Sequence, residues 1–188
     1  MTVSSGSVFR LVALGLLAWL LQLTVVSQLT VFGVPADLTP LVVAYVGFIT
    51  GSTTGAVFGF GLGLFVDLTP EHTLGVNSLV FTAVGYLAGR IRELRDPAHG
   101  LAPVAVGAAA TVIAAIGFAL LQFLLGVKAP VSLLLLRDTL MIVLLNTLIA
   151  LPVYALVHRL LATFLPDDPR RRRRRAYTTG GLSPLTRA

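Results

Sequence analysis

Glycine occupies every fourth position from Gly47 through Gly51, Gly55 and Gly59 to Gly63, inside an apolar stretch, and Asp67 falls on the next step of the same spacing. Four residues advance a helix by slightly more than one turn. These positions therefore form a narrow, slowly drifting stripe without side chains, where a second helix backbone can come close. In hydrocarbon, lipid tails give helices no hydrophobic reason to associate, and contact between small residues is a main way to hold them together. The stripe reads as a docking surface that ends in a carboxylate.

The rest of the chain places that stripe in a membrane. Only 12% of the 188 residues are charged, about half the usual share of a soluble domain, and mean hydropathy is +0.91. Apolar runs cover most of residues 11–165 and leave no room for a soluble catalytic domain, so one membrane domain is expected there, between a cytoplasmic N-terminus at 1–10 and a tail at 166–188. Residues 11–26 follow Arg10 as a signal-peptide core would. No small-x-small cleavage pattern comes after them, and they are read as an uncleaved first span. The chain has no cysteine, which removes disulfides, thiolate metal sites and cysteine nucleophiles. Its net charge of +6 is nearly all carried by Arg170, Arg171, Arg172, Arg173, Arg174 and Arg175. The body of the protein is close to neutral.

Apolar segments bounded by proline, glycine or charge fall at about 11–31, 38–50, 53–69, 74–90, 101–126 and 133–162, which predicts six transmembrane helices. With the N-terminus cytoplasmic, Arg10, the group Arg90, Arg92 and Arg95, Arg159 and the arginine tract all lie inside, and only Lys128 occupies an outer loop. Both termini are then cytoplasmic, and Asp37, Asp67 and Glu71 face outward. Residues 38–69 as one helix would reach roughly 48 Å, well past a ~30 Å hydrocarbon core. A break at Gly51-Ser52-Thr53-Thr54 is expected. It would take Gly47 and Gly51 out of the stripe and leave Gly55, Gly59 and Gly63 as its working part, with Gly61 on the opposite side. One long tilted helix is the alternative, giving five spans.

Asp67 ends the third helix, where an acid opposes the macrodipole and so calls for a partner. Solvation at the interface or bonding to loop backbone is the preferred reading, followed by a structural contact such as one with Arg137, and last by a proton relay. Asn146 is the clearest polar group deep in an apolar helix, with Thr139 and Thr147 nearby. An unsatisfied amide in lipid costs several kcal/mol, so Asn146 is read as interhelical glue in preference to substrate recognition. Pro152 removes a backbone donor and is expected to kink the last helix beside Tyr154. His72, His99 and His158 do not sit with carboxylates at metal spacing. Gly61-Leu62-Gly63 superficially matches an intramembrane aspartyl protease motif, but Leu64 follows and no second membrane aspartate exists. Neither a catalytic group nor a cofactor is expected. The arginine tract is read as a topology anchor that contacts anionic lipid, each arginine worth on the order of 1 kcal/mol near the leaflet. Specific nucleic-acid binding is not expected, for lack of stacking aromatics beyond Tyr177.

The run Gly55-x-x-x-Gly59-x-x-x-Gly63-x-x-x-Asp67, followed by Leu74-Gly75-Val76-Asn77, resembles the MreD family of bacterial rod shape-determining membrane proteins. Asn146-Thr147-Leu148-Ile149-Ala150-Leu151-Pro152-Val153-Tyr154 is similar to the end of that family, and the resemblance spans about residues 10–165. It implies a non-enzymatic scaffold or regulatory subunit of the peptidoglycan elongation machinery in the bacterial cytoplasmic membrane. The implied partners are MreC first, then RodA, a class B penicillin-binding protein and MreB, with a second copy of the chain as a further candidate. It also implies a fold like the substrate-binding subunits of energy-coupling-factor vitamin transporters. That likeness supplies the alternative function: small-molecule uptake through an outward pocket near Asp67, Glu71 and the last helix. On the scaffold reading, Gly55, Gly59 and Gly63 seat the membrane helix of MreC or a second copy, or pack within the chain.

Overall fold

At Gly51 the apolar stretch 38–69 turns a corner, with φ at +106°, a region open to glycine and strained for other residues. The chain runs there as two helices, α2 (Thr39–Thr50) and α3 (Ser52–Asp67) in chain order. The computed structural model describes residues 5–24, 30–31, 34–35, 37–68, 74–94, 102–126 and 133–162. Within these lie four further helices, α1 (Ser5–Thr24), α4 (Val76–Leu94), α5 (Ala102–Leu124) and α6 (Leu133–Ala162). Among the described residues the architecture is all-helical with six helices, apart from one small antiparallel ribbon.

That ribbon is where the first apolar segment departs from helix. α1 stops at Thr24, and the β-branched Thr30 and Val31 of β1 (Thr30–Val31) pair with Pro35 and Val34 of β2 (Val34–Pro35). β2 lies against α6.

α2 is the centre of the bundle. It touches all five other helices, and every residue from Thr39 to Ile49 is buried. A helix that is apolar all round has to be enclosed by protein or lipid, and here protein encloses it. Its 12 residues span only ~18 Å. Enclosure removes the need for this helix to cross a bilayer by itself. Leu41, Val43, Tyr45, Phe81 and Val84 are almost completely buried around it. The Tyr45 hydroxyl donates to the Pro103 carbonyl at 3.1 Å, and the ring meets Tyr154 edge-on with centroids 5.4 Å apart.

Two stretches among the described residues are long and apolar enough to cross a membrane, Ala102–Leu124 and Thr139–Leu161. Leu11–Gln22 and Thr39–Thr50 are shorter apolar helices. α6 continues as a single helix through Pro152, whose ring sits on the exposed side.

Candidate functional site

The glycine stripe lies against α4. A methyl group added at Gly55 would lie 2.5 Å from the Gly85 carbonyl oxygen and 2.5 Å from Gly47 Cα; at Gly59 it would lie 2.6 Å from the Phe81 carbonyl carbon, and at Gly63 2.6 Å from Ser78 N. These neighbours are backbone atoms and cannot swing aside. The two helices therefore touch main chain to main chain along three turns, which only glycine allows on the α3 side. The surface expected as a possible seat for a foreign helix is taken by α4 of the same chain. Gly47, expected to leave the contact once the helix breaks, stays in it: Gly47, Gly55 and Gly85 bring the backbones of α2, α3 and α4 together at one point.

Both ends of this hairpin are closed by a carboxylate. Asp67, 1% exposed at the end of α3, accepts five hydrogen bonds from the start of α4. They come from the backbone N–H groups of Gly75 (3.0 Å), Asn77 (3.1 Å) and Ser78 (3.0 Å), from Asn77 Nδ2 (2.8 Å) and from Ser78 Oγ (2.8 Å). The first N–H groups of a helix have no partner within it, and its N-terminus carries partial positive charge, so a buried anion is well placed there. Gly75 makes the approach possible with φ at +94°. At the other end Glu93 does the same for α3. Its Oε1 accepts from the N–H (3.0 Å) and Oγ (2.6 Å) of Ser52, while Arg90 donates to Oε2 at 3.1 Å. Donation by Ser52, then by Arg90, holds the Glu93 carboxyl below its ordinary range. Arg92 donates to the Ile49 carbonyl, a cation at the C-terminus of α2. The corner at Gly51 is thus held on both sides by consecutive residues of α4.

Glu93 is exposed, unlike Asp67. Glu93→Ala is expected to lower the thermal midpoint of the purified protein by less than removal of the Asp67 carboxylate does. Equal shifts, followed by fluorescence-detected unfolding in detergent, would contradict the difference in burial.

Asn146, with no exposed surface, donates through Nδ2 to the Asp37 carbonyl (2.9 Å) and to Thr111 Oγ1 (3.1 Å), joining α6 to α5 and to the start of α2. Tyr154 is half-buried against Tyr45 and Phe48. Arg137 is exposed, and the donors to Asp67 come from residues 75–78 instead. The cause is simple: α4 begins nine residues after Asp67 with unpaired N–H groups, and these satisfy the carboxylate without a distant cation. Glu71, His72, His99, Lys128 and Arg170 to Arg175 lie outside the described residues. Ser52, Gly85, Gly89, Arg92 and Glu93 complete the hairpin and were not singled out from the sequence as part of the contact. The signal for the two glycines was a second four-residue spacing, Gly85-x-x-x-Gly89, on α4.

The opposite side of α3 is open. Gly61 has nothing within 4 Å of the position its Cβ would take. With Gly15 and Trp19 of α1 and Val57 and Phe65 of α3 it lines an apolar groove of about 560 Å³. Trp19 and Phe65 close one part of the groove edge-to-face, with centroids 6.1 Å apart.

Compared with protein families, the chain matches the profile described as rod shape-determining protein MreD over residues 4–164. Comparison with curated proteins and with solved structures finds no match.

Proposed function

The chain belongs to the MreD family, and from that premise we propose that it is a membrane scaffold subunit of the rod-shape complex that seats the transmembrane helix of MreC in the groove between α1 and α3. Rod shape determination is the family's role. The observation that carries the reading is the division of α3 into two faces. The glycine face is consumed by α4, so a partner helix has to use another surface, and the Gly15–Gly61 side offers an apolar groove. Side chains of a helix 10–12 Å across fit such a groove along one face. Seating MreC would fix the orientation of its periplasmic region, and through it the activity of RodA and the class B penicillin-binding protein, with MreB on the cytoplasmic side.

In this reading the six helices lie in the bacterial cytoplasmic membrane as a multi-pass domain of residues 11–165 with both termini cytoplasmic. The arginine tract holds the tail to anionic lipid. The competing uptake reading needs Asp67 free to line an outward pocket. Its two oxygens are instead committed to α4, which favours the scaffold.

Gly61→Trp fills the groove without touching the α3–α4 contact. Tagged variant and wild type, extracted in mild detergent together with MreC, should differ at least tenfold in MreC recovered while keeping the same elution profile. Undiminished MreC with Gly61→Trp would exclude the groove, and a stoichiometric vitamin in the wild-type preparation would replace the scaffold reading by uptake.

A further inference from the structure

Asn146 lies near the middle of α6, and its amide orientation is decided by its neighbours. The Asp37 carbonyl can only accept, so the nitrogen faces it, and the same nitrogen reaches Thr111 Oγ1, which in turn donates to the Gly107 carbonyl at 3.0 Å. Oδ1 is thereby turned to the remaining side of the amide. It is fully buried and accepts no hydrogen bond from any described residue. An amide oxygen in that condition costs a large part of its hydration, and buried polar groups in native proteins are almost always satisfied by protein or by internal water.

The place is distinctive for a second reason. α2 begins here, inside the bundle, and its first turn is buried. Leu38 N–H donates to Gln22 Oε1 (2.9 Å) and Thr39 N–H to Asp37 Oδ1 (3.0 Å), so side chains from α1 and the preceding loop already serve the helix start. The polar atoms of α1, α2, α5 and α6 thus converge on one partly buried cluster, with a single buried and unserved acceptor among the described side chains. We propose that Asn146 Oδ1, beside the buried N-terminus of α2, is the anchoring acceptor of an internal water site enclosed by α2, α5 and α6.

Water is the occupant the chemistry selects. The site requires a donor, which excludes an anion, and a water molecule meets that requirement without bringing an ionic charge into the bundle. A water molecule donates one hydrogen to Oδ1 and has the second lone pair of Thr111 Oγ1 in the same cluster for the other. Internal waters ordinarily make two to four such bonds.

The chain contains two asparagines, Asn77 and Asn146, so the full-length protein labelled with 15N-asparagine gives two side-chain amide pairs. Asn146 is assigned by the loss of its pair in Asn77-retaining Asn146→Leu, or by the loss of the other in Asn77→Ser. A rotating-frame Overhauser cross-peak from the Asn146 amide to water is expected in the wild type. Its absence in the wild type, with the amide signal present, overturns the proposal. An antibody-fragment complex imaged at about 2 Å resolution gives an independent reading. A solvent peak within hydrogen-bond range of Oδ1, roughly 2.6–3.2 Å, supports the site. An O–H or N–H of the chain itself in that position overturns it.

Discussion

Gly59→Ala is expected to destabilise the protein by about 3 kcal/mol or more, although alanine is the better helix former by up to ~1 kcal/mol. The methyl group would lie 2.6 Å from the Phe81 carbonyl carbon, well inside contact distance, and neither backbone can yield without separating α3 from α4. Gly61→Ala, two residues along the same helix, is the control. Nothing lies within 4 Å of its Cβ position, so it should be neutral or slightly stabilising. Unfolding midpoints in one detergent, or the fraction of monodisperse protein after extraction, measure both. Similar losses for the two variants would show that helix propensity or lipid contact, and not close approach to α4, governs these positions.

Asp67→Ala carries the second large effect. It removes one anion and leaves the donors of Asn77 and Ser78 buried without an acceptor, while the Gly75 N–H sits at an exposed residue. Each buried donor left without an acceptor costs about 1–3 kcal/mol, and several at once are enough to remove much of the margin of an ordinary domain. Asp67→Asn keeps the shape and some acceptor capacity but presents two N–H hydrogens to a surface made of donors. It should recover only part of the loss. Proteolysis of solubilised protein near residues 68–75, together with the unfolding midpoint, reports whether α4 has come away from α3. An alanine variant as resistant as wild type would mean that the five hydrogen bonds contribute little beyond what water supplies.

The six-helix count was legible because each apolar segment is bounded by a residue that physically interrupts a membrane helix. Gly51 is the clearest case, since a continuous helix through 38–69 would have exceeded the bilayer. The tight approach encoded by Gly55, Gly59 and Gly63 was legible too, for small residues at that spacing have little other use. What occupies the stripe was not. A glycine face is the same whether the opposing helix is foreign or the next one in the chain, and the answer lay in Gly85 and Gly89, weak signals within an otherwise ordinary span. The partner of Asp67 was hidden for a different reason. Its donors are mainly backbone N–H groups, which every residue type but proline carries, so no side-chain pattern marks them. Enclosure of α2 likewise depends on five neighbours at once and leaves in the sequence only a short helix that is apolar all round.

Under the multi-pass arrangement proposed above, the crossed carboxylates of α3 and α4 bear on how the chain enters its membrane. Asp67 is expensive to carry out of water while α3 is alone, because the N–H groups that receive it belong to residues made later. The start of α4 has the mirror problem until Asp67 reaches it. Each segment is therefore an unfavourable passenger singly and an acceptable one as a pair, so α3 has reason to linger at the mouth of the insertion machinery until α4 emerges and the two can move sideways into lipid together.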